Sequence, residues 1–163
     1  MFTEIDLMIG AVGIRLMRKY KKIRKIPDVI FVKKKLAFGG KTPYEGLSGL
    51  NIKTVIDLRA ETTNEIKENE IVQYYKFELI DGGIPTKSQI IRIHEIIEEN
   101  EKKDEKVFIH CNLGRGRATL TTASYLLRDG MGWEGALRTV RKRRFVYLNK
   151  KQINFLKELE NEK

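Results

Sequence analysis

The sequence predicts an α/β fold, with a central, mainly parallel sheet flanked by helices. Three observations carry that expectation. Short apolar, β-prone runs recur at residues 29–32, 36–38, 53–58, 72–79 and 107–109. Segments with 3.6-residue apolar spacing alternate with the later runs, as parallel crossovers require. No internal repeat or low-complexity linker interrupts the 163 residues, a length that suits one domain with a real core. The expected division is a basic amphipathic N-terminal segment, 1–25, helical, followed by one folded domain, 26–163.

In chain order, residues 1–25 begin with Phe2, Ile5, Leu7, Met8, Ile9, Val12, Leu16 and Met17. Arg18, Lys19, Lys21, Lys22, Arg24 and Lys25 follow. A secretory signal peptide places its charge ahead of the apolar region, so this order is the wrong one. The preferred reading is a helix packed on the domain with a solvated basic end. The alternative is an amphipathic helix lying on an anionic membrane surface.

Residues 29–32 and 36–38 read as strands around a turn at Lys33, Lys34 and Lys35. Gly39-Gly40-Lys41-Thr42 resembles the end of a nucleotide-binding P-loop, but the glycine required at position 35 is Lys35, which excludes the motif. Thr42-Pro43-Tyr44-Glu45 reads as a capping box that starts a short helix. After strand 53–58, Arg59 and Glu61 fall where α/β proteins place functional loops. Arg59 either touches substrate or pairs with a neighbouring carboxylate. Residues 61–69 read as a polar, exposed helix. Strand 72–79 leads to Ile80-Asp81-Gly82-Gly83-Ile84-Pro85-Thr86, a loop by its turn chemistry. Thr86 and Gln89 can cap the next helix, whose Ile90, Ile93 and Ile97 share a face. His94, on that helix, is expected at the surface.

Strand 107–109 then feeds the loop His110-Cys111-Asn112-Leu113-Gly114-Arg115-Gly116-Arg117. The helix beyond it places Leu120, Ala123, Ser124 and Leu127 on one face, and Gly130 is set to end it in a left-handed conformation. Helices over 133–144 and 148–159 complete the chain, the first with a strongly basic end.

A tight loop feeding a helix N-terminus presents its backbone N–H groups to a common centre, and the helix dipole adds positive potential there. A phosphate dianion suits that centre. Gly114 and Gly116 permit the turn and a close ligand approach. Arg117 can grip two oxygens with its fork. Cys111 lies at the bottom of the same field, which favours its thiolate and makes it a nucleophile beneath a bound phosphorus atom. The candidate phosphate-binding residues are therefore Asn112, Leu113, Gly114, Arg115, Gly116 and Arg117.

His110-Cys111-x5-Arg117 resembles the signature of the cysteine-dependent protein tyrosine and dual-specificity phosphatases. The resemblance covers about residues 27–160 and implies a dual-specificity-phosphatase-like fold. It implies phosphomonoester hydrolysis through a cysteinyl-phosphate intermediate. In that family an aspartate on an upstream loop protonates the leaving oxygen, and Asp81 in Asp-Gly-Gly-Ile-Pro matches it. Val140-Arg141-x-x-Arg144 with Asn149 and Gln152 is similar to the family's C-terminal end, although Phe145 replaces the usual proline. A second departure is Ala118, where the family usually carries Ser or Thr to steady the departing thiolate. Thr119, one residue on, is turned by about 100° and is a poor substitute. Slower hydrolysis of the phospho-enzyme is expected.

The resemblance points first to phosphorylated protein substrates. The apolar-then-basic N-terminus is similar to the phosphatidylglycerophosphate phosphatase branch, which makes a phospholipid phosphate, including phosphoinositides, the second choice. The formal charge of +10 admits an RNA 5′-triphosphatase, with nucleic acid ranked low. Sulfur transfer and non-catalytic phosphate binding complete the alternatives. No cofactor is called for: loop amides and Arg117 supply the positive field a metal would, and one Cys and two His are too few for a structural zinc site. The lone cysteine fits a reducing, cytoplasmic compartment, with 1–25 the candidate for peripheral membrane contact. No apolar run reaches the roughly 20 residues needed to span a bilayer.

Overall fold

The computed structural model describes residues 13, 15, 16, 19, 26–62 and 73–162. Five strands form one sheet: β1 (Val29–Phe31), β2 (Leu36–Gly39), β3 (Ile52–Arg59), β4 (Gln73–Leu79) and β5 (Lys106–His110), in the order β1-β2-β5-β3-β4. β1 and β2 form the antiparallel hairpin expected around the lysine turn, and every other pairing is parallel. Among residues 26–62 and 73–162, four helices accompany the sheet: α1 (Lys87–Lys102), α2 (Arg117–Arg128), α3 (Trp133–Arg141) and α4 (Lys150–Asn161). β5 is central, paired on both sides, so the loop after it opens at the carboxyl edge of the sheet.

Strand pleat sorts the core. Leu36, Phe38, Val107, Ile109, Ile56 and Leu58 face the helices, packing with Ile93, Ile96 and Ile97 of α1 and Leu120, Ala123 and Leu126 of α2. Ala37, Val55 and Phe108 point the other way, against Leu47, Leu50 and Tyr44. Among the described residues, all four helices therefore lie on one face, and two 3-10 turns, Tyr44–Gly46 and Ser48–Leu50, cover the other. Both faces of the parallel strands are buried, which explains the unbroken apolar run Val107-Phe108-Ile109 in β5, whereas β3 also buries the polar Thr54, Asp57 and Arg59. Each fully buried Leu, Ile or Phe contributes roughly 1.5–3 kcal/mol of transfer free energy.

Local signals worked where caps are made by neighbouring residues. Thr86 accepts from Gln89 N and the Gln89 side chain accepts from Thr86 N, completing the capping box of α1. Gly130 has φ +93° after α2. Other expectations need correction. Thr42 caps no helix. Its hydroxyl accepts from Asp28 N at 3.0 Å, and Pro43 precedes a 3-10 turn instead. His94 is buried rather than exposed: it bonds Ser124 Oγ at 3.0 Å and meets the Tyr125 ring edge-on. Its spacing of four residues from Ile90 and three from Ile97 puts it beside the apolar stripe, where α2 covers it. α3 ends at Arg141, three residues early, and residues 142–149 run on without helix or strand. The expected helix over 61–69 falls outside the described residues from position 63 on. So does the N-terminal helix, apart from helical Gly13, Arg15, Leu16 and Lys19.

Candidate active site

Cys111 follows the last residue of β5 and is 2% exposed. Its own N–H donates to Gly39 O of β2 at 3.3 Å, which ties the start of the loop to the sheet. The chain then turns back on itself, so that Gly114 N–H donates to Cys111 Sγ at 3.2 Å. That turn places Gly114 at φ +67°, against Gly39 and Gly40. A Cβ on Gly114 would stand 2.3 Å from the Gly39 carbonyl carbon. Three glycines thus permit a backbone-to-backbone contact that no side chain could share. Lys41 N–H donates to Asn112 O at 3.0 Å from the same side. This is the role of the Gly39-Gly40 pair, which resembled a nucleotide loop in the sequence.

Gly116 is the N-cap residue of α2, and no side chain caps that helix. Its first N–H groups therefore remain available to an anion held by the loop. Thr119 does not lean toward the sulfur. Its hydroxyl donates to Gly114 O at 3.2 Å and braces the loop from behind, while Ala118 is fully buried in the cluster that contains Cys111. Asn112 and Leu113 stand exposed at the rim, and Arg115 and Gly116 are half-buried.

Arg117 is almost wholly buried, yet its guanidinium is fully engaged on one side. Nη1 and Nη2 donate to the two carboxylate oxygens of Glu61 at 2.6 and 2.7 Å, and Nη1 also donates to Leu79 O at 2.8 Å. Nε has no hydrogen-bond partner among the described residues and lies 3.3 Å from Asp81 Oδ1. Burial works against the Arg117 charge, but Glu61, Cys111 and Asp81 outweigh it and hold the guanidinium protonated. The same fork holds the Glu61 carboxyl below the usual carboxylate range. Glu61 fixes the plane of the guanidinium and leaves Nε for another acceptor.

Asp81 is 82% exposed at the mouth, on the loop after β4. The loop is tethered from α4. Asn149 Nδ2 donates to Gly82 O at 2.8 Å, and Gln152 Nε2 donates to Gly83 O at 3.0 Å. The remaining oxygens of Asn149 and Gln152 complete the capping box of α4. One helix start therefore carries both its own cap and the position of Asp81.

Arg59 does not reach the mouth. On the sheet face opposite the helices it forms a buried fork with Asp57, Nε to Oδ1 at 2.8 Å and Nη2 to Oδ2 at 2.7 Å. Tyr74 donates to Asp57 Oδ2 at 2.8 Å. Burial opposes the Asp57 charge, but Arg59, His110 and Tyr74 together hold its carboxyl low. His110 stacks on Phe108, bonds Tyr44 OH at 3.1 Å, and is pushed down to about 4 by burial. It is a neutral support for the loop.

The structure brings Gly114 N–H to the Cys111 sulfur and the Arg117 guanidinium to Asp81. Three contributors were not legible as such: Glu61 as the partner of Arg117, Gly39-Gly40 as the floor under the loop, and Asn149 with Gln152 as tethers of the Asp81 loop. Among the described residues no group of His, Cys, Asp and Glu is arranged to hold a metal, and no helix is long and apolar enough to cross a membrane.

Residues 38–162 match the family model of the dual specificity phosphatase catalytic domain. The chain is 35% identical over 94 residues to "Probable protein tyrosine phosphatase type IVA A" of Dictyostelium discoideum, covering 56% of this chain and 57% of that one. It is 42% identical over 82 residues to "Probable protein tyrosine phosphatase type IVA B" of the same organism, covering 48% and 50%. The chain thus spans about half the length of the curated relatives it matches. Its fold is similar to the crystal structure of Tk-PTP in the active form, with a TM-score of 0.75 and 26% identity, over 83% of this chain and 98% of that one.

Proposed function

The chain belongs to the dual specificity phosphatase catalytic-domain family, and on that premise we propose that it hydrolyses phosphomonoesters through a cysteinyl-phosphate intermediate, with phosphorylated protein side chains as the first substrate class. One observation supports this most directly. A backbone N–H held 3.2 Å from the Cys111 sulfur shares a loop with an arginine whose free Nε faces an aspartate at 3.3 Å. Nucleophile, anion grip and proton carrier converge on a single centre.

The phosphate binds to the loop amides of 112–117 and to the Arg117 guanidinium. The Cys111 thiolate attacks phosphorus in line, and the P–O bond to the leaving group breaks as the S–P bond forms. Asp81, reached from solvent, gives its proton to the leaving oxygen. It then takes a proton from the water that attacks phosphorus, and the S–P bond breaks to return the thiolate and release inorganic phosphate. The developing charge on the equatorial oxygens is met by fixed amide dipoles and a guanidinium already oriented by Glu61, so little reorganisation is needed. Ala118 places no hydroxyl beside the departing sulfur, so the second step is the slower one.

Cys111→Ser is expected to reduce p-nitrophenyl phosphate turnover to background while phosphate binding survives, and vanadate should inhibit the native chain at low concentration. Retention of native turnover by Cys111→Ser overturns the mechanism. A phosphate-release panel of phosphopeptides, phosphatidylglycerophosphate, phosphoinositides and triphosphate RNA ranks the substrate classes.

A further inference from the structure

Much of the exposed apolar surface gathers at the mouth. Ile80, Leu113, Phe145 and Tyr147 are 77%, 38%, 45% and 65% exposed. They come from three segments that are bonded to one another. Tyr147 N–H donates to Arg115 O at 3.2 Å, the Arg115 guanidinium lies over the Phe145 ring at 5.4 Å, and Asn149 ties to the Gly82 carbonyl beside Asp81. The four side chains therefore share one end of the molecule, around Cys111 and Asp81.

The aromatic pair is held outward by construction. Burial alternates along residues 143–148: Val146 and Leu148 enter the core, while Arg144 bonds Asp28 Oδ2 at 2.5 Å. Arg143, Phe145 and Tyr147, between those anchored positions, stand exposed to solvent. Charge follows the same course. From Gly135 to Lys157 the sequence has eight Lys and Arg and no Asp or Glu, and Arg141, Lys142 and Arg143 stand exposed just ahead of Phe145. Outward aromatic side chains bracketed by cations match the interfacial layer of an anionic bilayer, where rings enter the headgroup boundary and Lys and Arg meet lipid phosphates.

We infer that this rim docks the catalytic mouth onto the surface of an anionic phospholipid bilayer, through Phe145 and Tyr147 with the basic residues beside them. The four apolar side chains stand exposed on linked segments beside Cys111 and Asp81, so a flat partner can meet them together. Seated this way, the phosphate loop lies at headgroup depth. The inference rests on the phosphatase reading of the mouth, but the docking itself needs no turnover. It is also separate from any contact made by residues 1–25.

The test is co-sedimentation of the full chain with vesicles of phosphatidylcholine alone or phosphatidylcholine mixed with phosphatidylglycerol. The native chain should partition onto the mixed vesicles, and less so in high salt. The Phe145→Ser, Tyr147→Ser double variant should lose tenfold or more of that partitioning while its turnover of p-nitrophenyl phosphate stays within about twofold. Unchanged partitioning of the double variant overturns the proposal and moves the contact elsewhere on the chain. Absence of native binding, with a raised KM of the double variant for a phosphotyrosine peptide, overturns it in favour of peptide docking. Because p-nitrophenyl phosphate is read separately, failure of docking is distinguishable from failure of the phosphatase reading.

Discussion

At the scale of single residues, two glycines separate local strain from function. Gly114 and Gly130 both have positive φ, +67° and +93°. A Cβ on Gly130 meets nothing within 4 Å, whereas one on Gly114 strikes the backbone of Gly39 and Gly40. Gly130→Ala should therefore cost about 1 kcal/mol in urea denaturation and leave turnover alone. Gly114→Ala should add steric displacement to strain of roughly 1–3 kcal/mol and push the N–H away from Cys111 Sγ, with a large fall in kcat/KM and weaker vanadate inhibition. Equal turnover in both variants would deny the loop its role. The pattern Cys111-x5-Arg117 was legible because its parts are contiguous and the strand before and helix after fix their directions. Glu61 was not, because its partner Arg117 lies 56 residues away and nothing local to a glutamate announces a distant guanidinium.

At the scale of elements, α4 shows how one helix terminus serves stability and catalysis through different atoms. Asn149 Oδ1 accepts from Gln152 N at 2.9 Å, and Nδ2 donates to Gly82 O at 2.8 Å. Asn149→Ala loses both and should cost about 1 kcal/mol as a lost cap. Asn149→Asp keeps the acceptor and adds a charge favoured by the helix dipole, but it cannot donate to Gly82. It should keep the native thermal midpoint while kcat falls, more for alkyl phosphates than for p-nitrophenyl phosphate, because poor leaving groups depend most on Asp81. Parallel losses with both substrates would assign Asn149 to folding alone. The capping box at Thr86 closes within one turn and was readable in sequence, whereas the box of the same form at Asn149 went unread and the last helix was expected from 148. The placement of His94 was not, since its burial depends on α2 crossing α1. That all four described helices lie on one face of the sheet was likewise set by packing of the whole layer.

At the scale of the molecule, the two histidines tie stability to pH. His94 and His110 are both buried, and burial pushes each down to about 4 from an unfolded value near 6.5. Below 6.5 the unfolded chain therefore gains protons that the folded chain does not take until near 4. The stability they contribute is complete above 6.5 and is lost as pH falls through that window, on the order of 3 kcal/mol for each. Asp57 and Glu61 are held low in the folded state, so their contributions are lost only toward the acid end of the window and below it. The +10 charge adds repulsion as carboxylates protonate, equally in native and variant chains. The discriminating quantity is thus a slope. His94→Gln removes one of the two proton-linked sites without touching the phosphate loop. Between pH 6.5 and 5 its free energy of unfolding should vary with pH about half as steeply as that of the native chain. A variant slope equal to the native one would mean that His94 is protonated equally in both states, and the packing of α1 against α2 around that ring would have to be redrawn.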